Sequence, residues 1–162
     1  MIKRASQLKL VVCFFCFCYT NISLASEADK RTKHDLWLKQ KFSQQHQQLI
    51  PVVAVADMLS ACNLERKIDP VNYQVKDLIK RMNRELLAQK LSQCLGNDSP
   101  KSDVALNYGL LGCFREQLSE LSAEDKKQKM KLVQRAIASL SREERQKSLT
   151  KCVTNQSMNY LK

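Results

Sequence analysis

The residues of this chain that could do chemistry are few, and the cysteines come first. There are seven. Cys13, Cys16 and Cys18 lie in an apolar run near the N-terminus, while Cys62, Cys94, Cys113 and Cys152 are spread over the rest of the chain. Thiol exchange favours Cys-x-x-Cys, and the one such spacing, Cys13 to Cys16, falls in the N-terminal run. Metal binding wants closely spaced His and Cys ligands. The only histidines are His34 and His46, so no metal site is expected. Four scattered cysteines in an exported chain of this size point instead to two disulfides, each stabilising by about 2–4 kcal/mol.

Acids and nucleophiles are no richer. There is no Gly-rich phosphate loop, no Gly-x-Ser-x-Gly and no His-Glu-x-x-His. The pairs Glu124/Asp125 and Glu143/Glu144 fall in the first turns of expected helices, where the helix dipole favours them. Asp57 lies inside the most apolar stretch outside the N-terminus. It is expected to pair with a neighbouring Arg or Lys, or to face an exposed edge. No catalytic residue and no cofactor are expected, and the chain is read as non-enzymatic.

The surface sign says more. Lys and Arg number 27 against 16 acids, a formal net charge of +11. Lys76, Lys80 and Arg84 stand at i, i+4, i+8, with Arg81 beside them; Lys126, Lys127, Lys129, Lys131 and Arg135 crowd a second stretch. These are the candidate surface for an acidic partner or an anionic membrane, although Asp77 at i−4 from Arg81 weakens the first row. Nucleic acid is not expected, because no aromatic-interleaved basic motif is present.

The N-terminus supplies the compartment. Lys3, Arg4 and Lys9 precede the apolar residues 10–19, and Ser23 and Ala25 suit a cleavage site. This is the pattern of a secretory signal peptide, residues 1–25, and the expected location is the periplasm. Its removal would lower the net charge by three.

The remaining elements are expected to be helices. Glycine and proline are three each, too few for a turn-rich β fold. Residues 26–33 are polar and expected as a loose arm, followed by one helical domain over residues 34–162. A first helix over 34–49 carries Leu38, Phe42 and Leu49 on one face and ends or kinks at Pro51. Residues 52–64, apolar on nearly every side, are expected as a buried helix around which the rest packs. Asp69-Pro70 starts a long helix with Val75, Leu78, Ile79, Met82, Leu86, Leu87, Leu91 and Cys94 inward. A fourth helix starts near Ser102, a fifth at residues 122–125, and a sixth at the capping box Ser141-Arg142-Glu143-Glu144. Gly109 and Gly112 inside the fourth helix mark close approach by another helix. Trp37 and Tyr160, near the two ends, are expected to pin them to the core.

The fold class expected is therefore all-α, a single compact bundle of five or six helices stapled by disulfides. If the fifth helix runs antiparallel to its neighbours, Cys113 and Cys152 come level. That favours Cys113–Cys152, leaving Cys62–Cys94. A long helix of about 35 Å would hold Cys62 and Cys94 apart, so Cys62–Cys113 with Cys94–Cys152 stays open. The expected function is binding of another envelope component, a protein partner or chaperone-like client. The alternative is an anionic lipid or lipopolysaccharide surface met by the basic faces.

Overall fold

The computed structural model describes residues 22–161; residues 1–21 of the expected export signal lie outside them. Six helices and no strand occur among the described residues: α1 (Ile22–Arg66), α2 (Val75–Arg81), α3 (Arg84–Leu95), α4 (Asp103–Gln117), α5 (Ala123–Ser139) and α6 (Arg142–Asn159). The chain divides into two units, residues 1–44 and 45–162. Residues 34–44, expected within the domain, thus fall in the first unit. There Leu36, Leu38 and Phe42 are exposed, as is Trp37, expected to pin its end to the core. Residues 26–33, expected as an arm, are helical, since no glycine or proline stops α1 before Pro51.

The packed unit, residues 45–162, is built on the second half of α1. Pro51 sits inside α1 and does not end it. A proline removes one amide donor and pushes carbonyls of the preceding turn outward. In that turn Gln47 is exposed, and the Gln48 carbonyl accepts from Arg84 Nη2 at 3.2 Å. The helix therefore continues into its buried segment. Val53 faces a cluster formed with Leu106, Leu110, Cys113, Ile137, Leu149, Cys152 and Val153. Ala56, Leu59 and Cys62 face a second cluster with Val75, Leu78, Leu87, Leu91 and Cys94. The segment lies between two cores, which is why it has no polar side. α1 is long and apolar enough in composition to cross a membrane, and 44% of its apolar window is buried inside the protein.

The long helix expected from Asp69 is two. Asp69 caps nothing. Its carboxylate accepts from Tyr73 Oη at 2.6 Å and Lys90 Nζ at 2.8 Å, within a loop that buried Asn63 braces. The Asn63 Nδ2 group donates to the carbonyls of Val71 at 2.7 Å and Asp69 at 3.2 Å, and its Oδ1 accepts from the Asp69 amide at 2.8 Å. α2 stops at Arg81, and Asn83 restarts the chain as the N-cap of α3, its side chain accepting from the Leu86 amide at 2.8 Å. The restart leaves Leu86 exposed. It also removes the straight rod that would have kept Cys94 from Cys62.

Both disulfides of the favoured pairing are present. Cys62 and Cys94 have Cα atoms 6.2 Å apart, and Cys113 and Cys152 6.3 Å. Each bridge lies in one of the two cores. Arg66, one turn after Cys62, donates to the carbonyls of Cys94 and Leu95 at 2.9 and 2.6 Å and to Asp98 at 2.7 Å. It thereby satisfies carbonyls that the end of α3 leaves open. The later helices start where expected: Ser102, Ser122 and Ser141 each accept an N-cap bond, and Ser141 with Glu144 completes a capping box.

Both glycines of α4 mark close contacts. A Cβ on Gly112 would lie 2.2 Å from the Asp57 carbonyl oxygen, whereas one on Gly109 would meet the Leu149 methyls at 3.0 and 3.1 Å. Gly112→Ala must push α4 off the α1 backbone and should cost about 3 kcal/mol in urea unfolding. Gly109→Ala meets only the flexible ends of two side chains, Leu149 and Met58, and regains helix propensity, so its change should stay within about 1 kcal/mol. The bridges close loops with sequence separations of 32 and 39. Replacing either pair by serine should lower unfolding free energy by about 4 kcal/mol on loop entropy, measured against the oxidised protein; an unmoved midpoint would contradict the role given to that bridge.

Candidate functional site

The first expected basic row is divided between two helices. Lys76 and Lys80 are exposed on α2, but Arg84 belongs to α3, so the i, i+4, i+8 row is interrupted at residues 82–83. Arg81 pairs with Asp77 at 3.4 Å. Lys127, Lys129, Lys131 and Arg135 are exposed along α5, near the exposed Leu132. Lys126 alone is half-buried, and it leads to the concavity of most chemical interest.

That concavity is a cleft of about 140 Å³, whose polar lining includes Ser60, Asn72, Arg115, Glu116, Ser119 and Lys126. Each wall has a local cause. Asn72 is in the loop that Asn63 braces. Ser60 donates to the Tyr73 carbonyl at 3.0 Å, tying that loop to α1. Arg115 follows Gly112 by three residues, so it stands on the face of α4 that the missing Cβ brings against α1. Lys126 sits one turn into α5, after the Ser122 cap.

Arg115 makes no hydrogen bond or ion pair among the described residues, and its Nη1 is buried without a partner. Burial lowers its pKa from the ordinary arginine value, but a guanidinium keeps its charge in proteins. The acid on the lining, Glu116, is engaged at one oxygen: its Oε1 accepts from Tyr160 Oη at 3.0 Å. Tyr160 in turn is held protonated by burial, and this contact fixes the C-terminal end of α6 as expected.

Behind the cleft lies Asp57. It is fully buried and has no cation beside it, contrary to the expected Arg or Lys partner, because Gly112 lets the α4 backbone close over this turn of α1. Its Oδ1 accepts from Gln156 Nε2 at 3.1 Å, and its Oδ2 has no partner. Burial, which outweighs the Gln156 bond, raises its pKa well above the ordinary carboxylate range; the Glu116 charge adds to the rise. The other end of the Gln156 amide, Oε1, is 2.8 Å from Cys113 Sγ, a disulfide sulfur with no hydrogen to give. Turning that amide over places Nε2 on the sulfur and Oε1 against Asp57, the arrangement that a protonated carboxyl donating its O–H requires.

Neither histidine joins a ligand set. His34 stacks on Trp37, with ring centroids 6.1 Å apart, and His46 Nε2 lies 3.0 Å from the Thr154 carbonyl. No group of three His, Cys, Asp or Glu side chains among the described residues could hold a metal ion. Sequence reasoning missed Arg115, Glu116 and Gln156. The available signal was Arg115 on the face of Gly112, a cation where helices approach closely. No protein-family model, curated protein or solved structure matches this chain.

Asp57 has a measurable consequence. Its folded pKa is raised, so the native state holds a proton that the unfolded chain releases. The stability this contributes is complete below the unfolded value of about 4 and is lost as pH rises through the folded value. Asp57→Asn carries no such proton. The melting temperature of the variant minus that of the wild type should therefore grow as pH rises above the unfolded value, followed by circular dichroism; a constant difference would place an ordinary, exposed titration at this residue.

Proposed function

We propose that this chain works by binding. On this reading it is an exported, disulfide-stapled, non-enzymatic protein of the periplasm that holds another envelope component, a protein partner or chaperone-like client. The observation that carries the reading is the Arg115–Lys126 cleft, where two cations with no ionic partner among the described residues meet amide and hydroxyl groups in a concave polar surface. Such groups recognise a ligand's polar atoms in its ground state. Two disulfides in the cores support the compartment, since such bonds persist where the environment is oxidising.

A second reading has its own observation. Lys127, Lys129, Lys131 and Arg135 are exposed on α5 with the exposed Leu132, a combination of basic and apolar side chains that suits an anionic lipid or lipopolysaccharide surface.

Photo-crosslinking residues placed at Ser119, on the cleft rim, and at Lys131, on the basic helix, separate the two in exporting cells. Binding through the cleft should give one discrete protein adduct from position 119 that is indifferent to a high-salt wash. No adduct from that position, together with sedimentation on anionic vesicles that salt reverses, would sink the first reading in favour of the second.

A further inference from the structure

The Arg115 cleft carries more charge than it needs for folding. Arg115 is half-buried, its Nη1 is shut off from water with no partner, and an unpaired cation in that setting is a net cost to the fold. Lys126 faces the same space, also with no ion pair, and the Asn72 and Ser119 side chains make no hydrogen bond among the described residues. Against these stands Glu116, whose carboxylate would oppose an incoming anion; it is engaged by Tyr160 at 3.0 Å. Two cations and one carboxylate leave a single positive charge, so the lining is balanced by a monoanion and not by a phosphate dianion. Volume narrows the ligand further. A hollow of about 140 Å³ is below the roughly 300 Å³ at which small-molecule sites begin, which suits one side chain of a larger partner. A guanidinium matches a carboxylate in planar, two-point geometry.

We propose that this cleft is a carboxylate-binding site that takes an acidic side chain of a partner polypeptide, with Arg115 as the principal contact and Lys126, Asn72 and Ser119 completing it. The proposal rests on the binding reading above and names the chemistry of its partner. It also accounts for why an unpaired arginine is kept beside a core: the charge is compensated in the complex.

The test has two independent readouts on the purified, oxidised protein. In the first, the Arg115 side-chain NMR signal is followed at constant ionic strength during titration with a glutamate blocked at both ends, a blocked glutamine, acetate and inorganic phosphate. A saturable shift with blocked glutamate, absent with blocked glutamine and weaker with acetate, is expected. It should weaken about tenfold or more in Lys126→Gln, as loss of a charge-assisted contact does. Acetate matching the blocked glutamate would overturn the polypeptide source, tighter phosphate would overturn the carboxylate assignment, and no saturable shift with any probe would overturn the site. None of these results would touch a crosslinked partner found through another face. In the second readout, Arg115→Gln should melt higher than the wild type, because it removes an uncompensated, partly buried charge. A lower melting temperature would show that Arg115 serves the fold and would overturn the proposal.

Discussion

The contact on which the rest of residues 45–162 depends is the one between the Gly112 backbone and the Asp57 carbonyl. A Cβ at position 112 would be 2.2 Å from that oxygen, so only glycine lets α4 lie against α1 at this height. Three consequences follow from the same crossing. Asp57 is sealed, and its carboxyl is driven toward the neutral form by loss of water. Cys113, the next residue, is delivered to the core where Cys152 waits. Arg115, one turn on, lines the cleft, with its Nη1 buried and unpartnered.

The two disulfides and the two cores divide the labour around this crossing. One bridge ties α1 to α3 in the cluster that includes Leu59, Leu87 and Leu91; the other ties α4 to α6 in the cluster that includes Val53, Leu110 and Val153. The segment of α1 between Val53 and Cys62 faces both. A chain of this length buries a modest core, and covalent closure of two loops offsets part of the conformational entropy that burial alone must otherwise overcome.

The polar groups near the crossing fall into two kinds. Asn63, Arg66 and Asp69 are spent on structure: their bonds to Val71, Leu95 and Lys90 close a loop or a helix end. Arg115 and Lys126 are not spent. Uncompensated charge at a concave surface lowers the stability of the free protein and is available to a ligand, the usual trade between fold and binding. That contrast, more than any motif, locates the proposed function.

Much of the architecture was legible in the chain itself. The all-α class follows from scarce glycine and proline and from three- and four-residue apolar spacing, and the starts of α4, α5 and α6 from Ser102, Ser122 and Ser141, because capping is a local interaction among neighbours in sequence. The close-approach role of Gly109 and Gly112 was readable for the same reason: a glycine inside a helix needs a cause. Other features depended on partners far along the chain. Pro51 ends or kinks a helix by local rules; that α1 runs through it into a segment buried from two sides depends on the packing. Asp69-Pro70 has the form of a helix start, yet Asn63, Tyr73 and Lys90 hold it in a loop. The break at Asn83 decided that Cys94 reaches Cys62. Above all, the charge state of Asp57 and the lack of a partner for Arg115 are properties of what surrounds them, and only the tertiary packing of α1, α4 and α6 determines those surroundings.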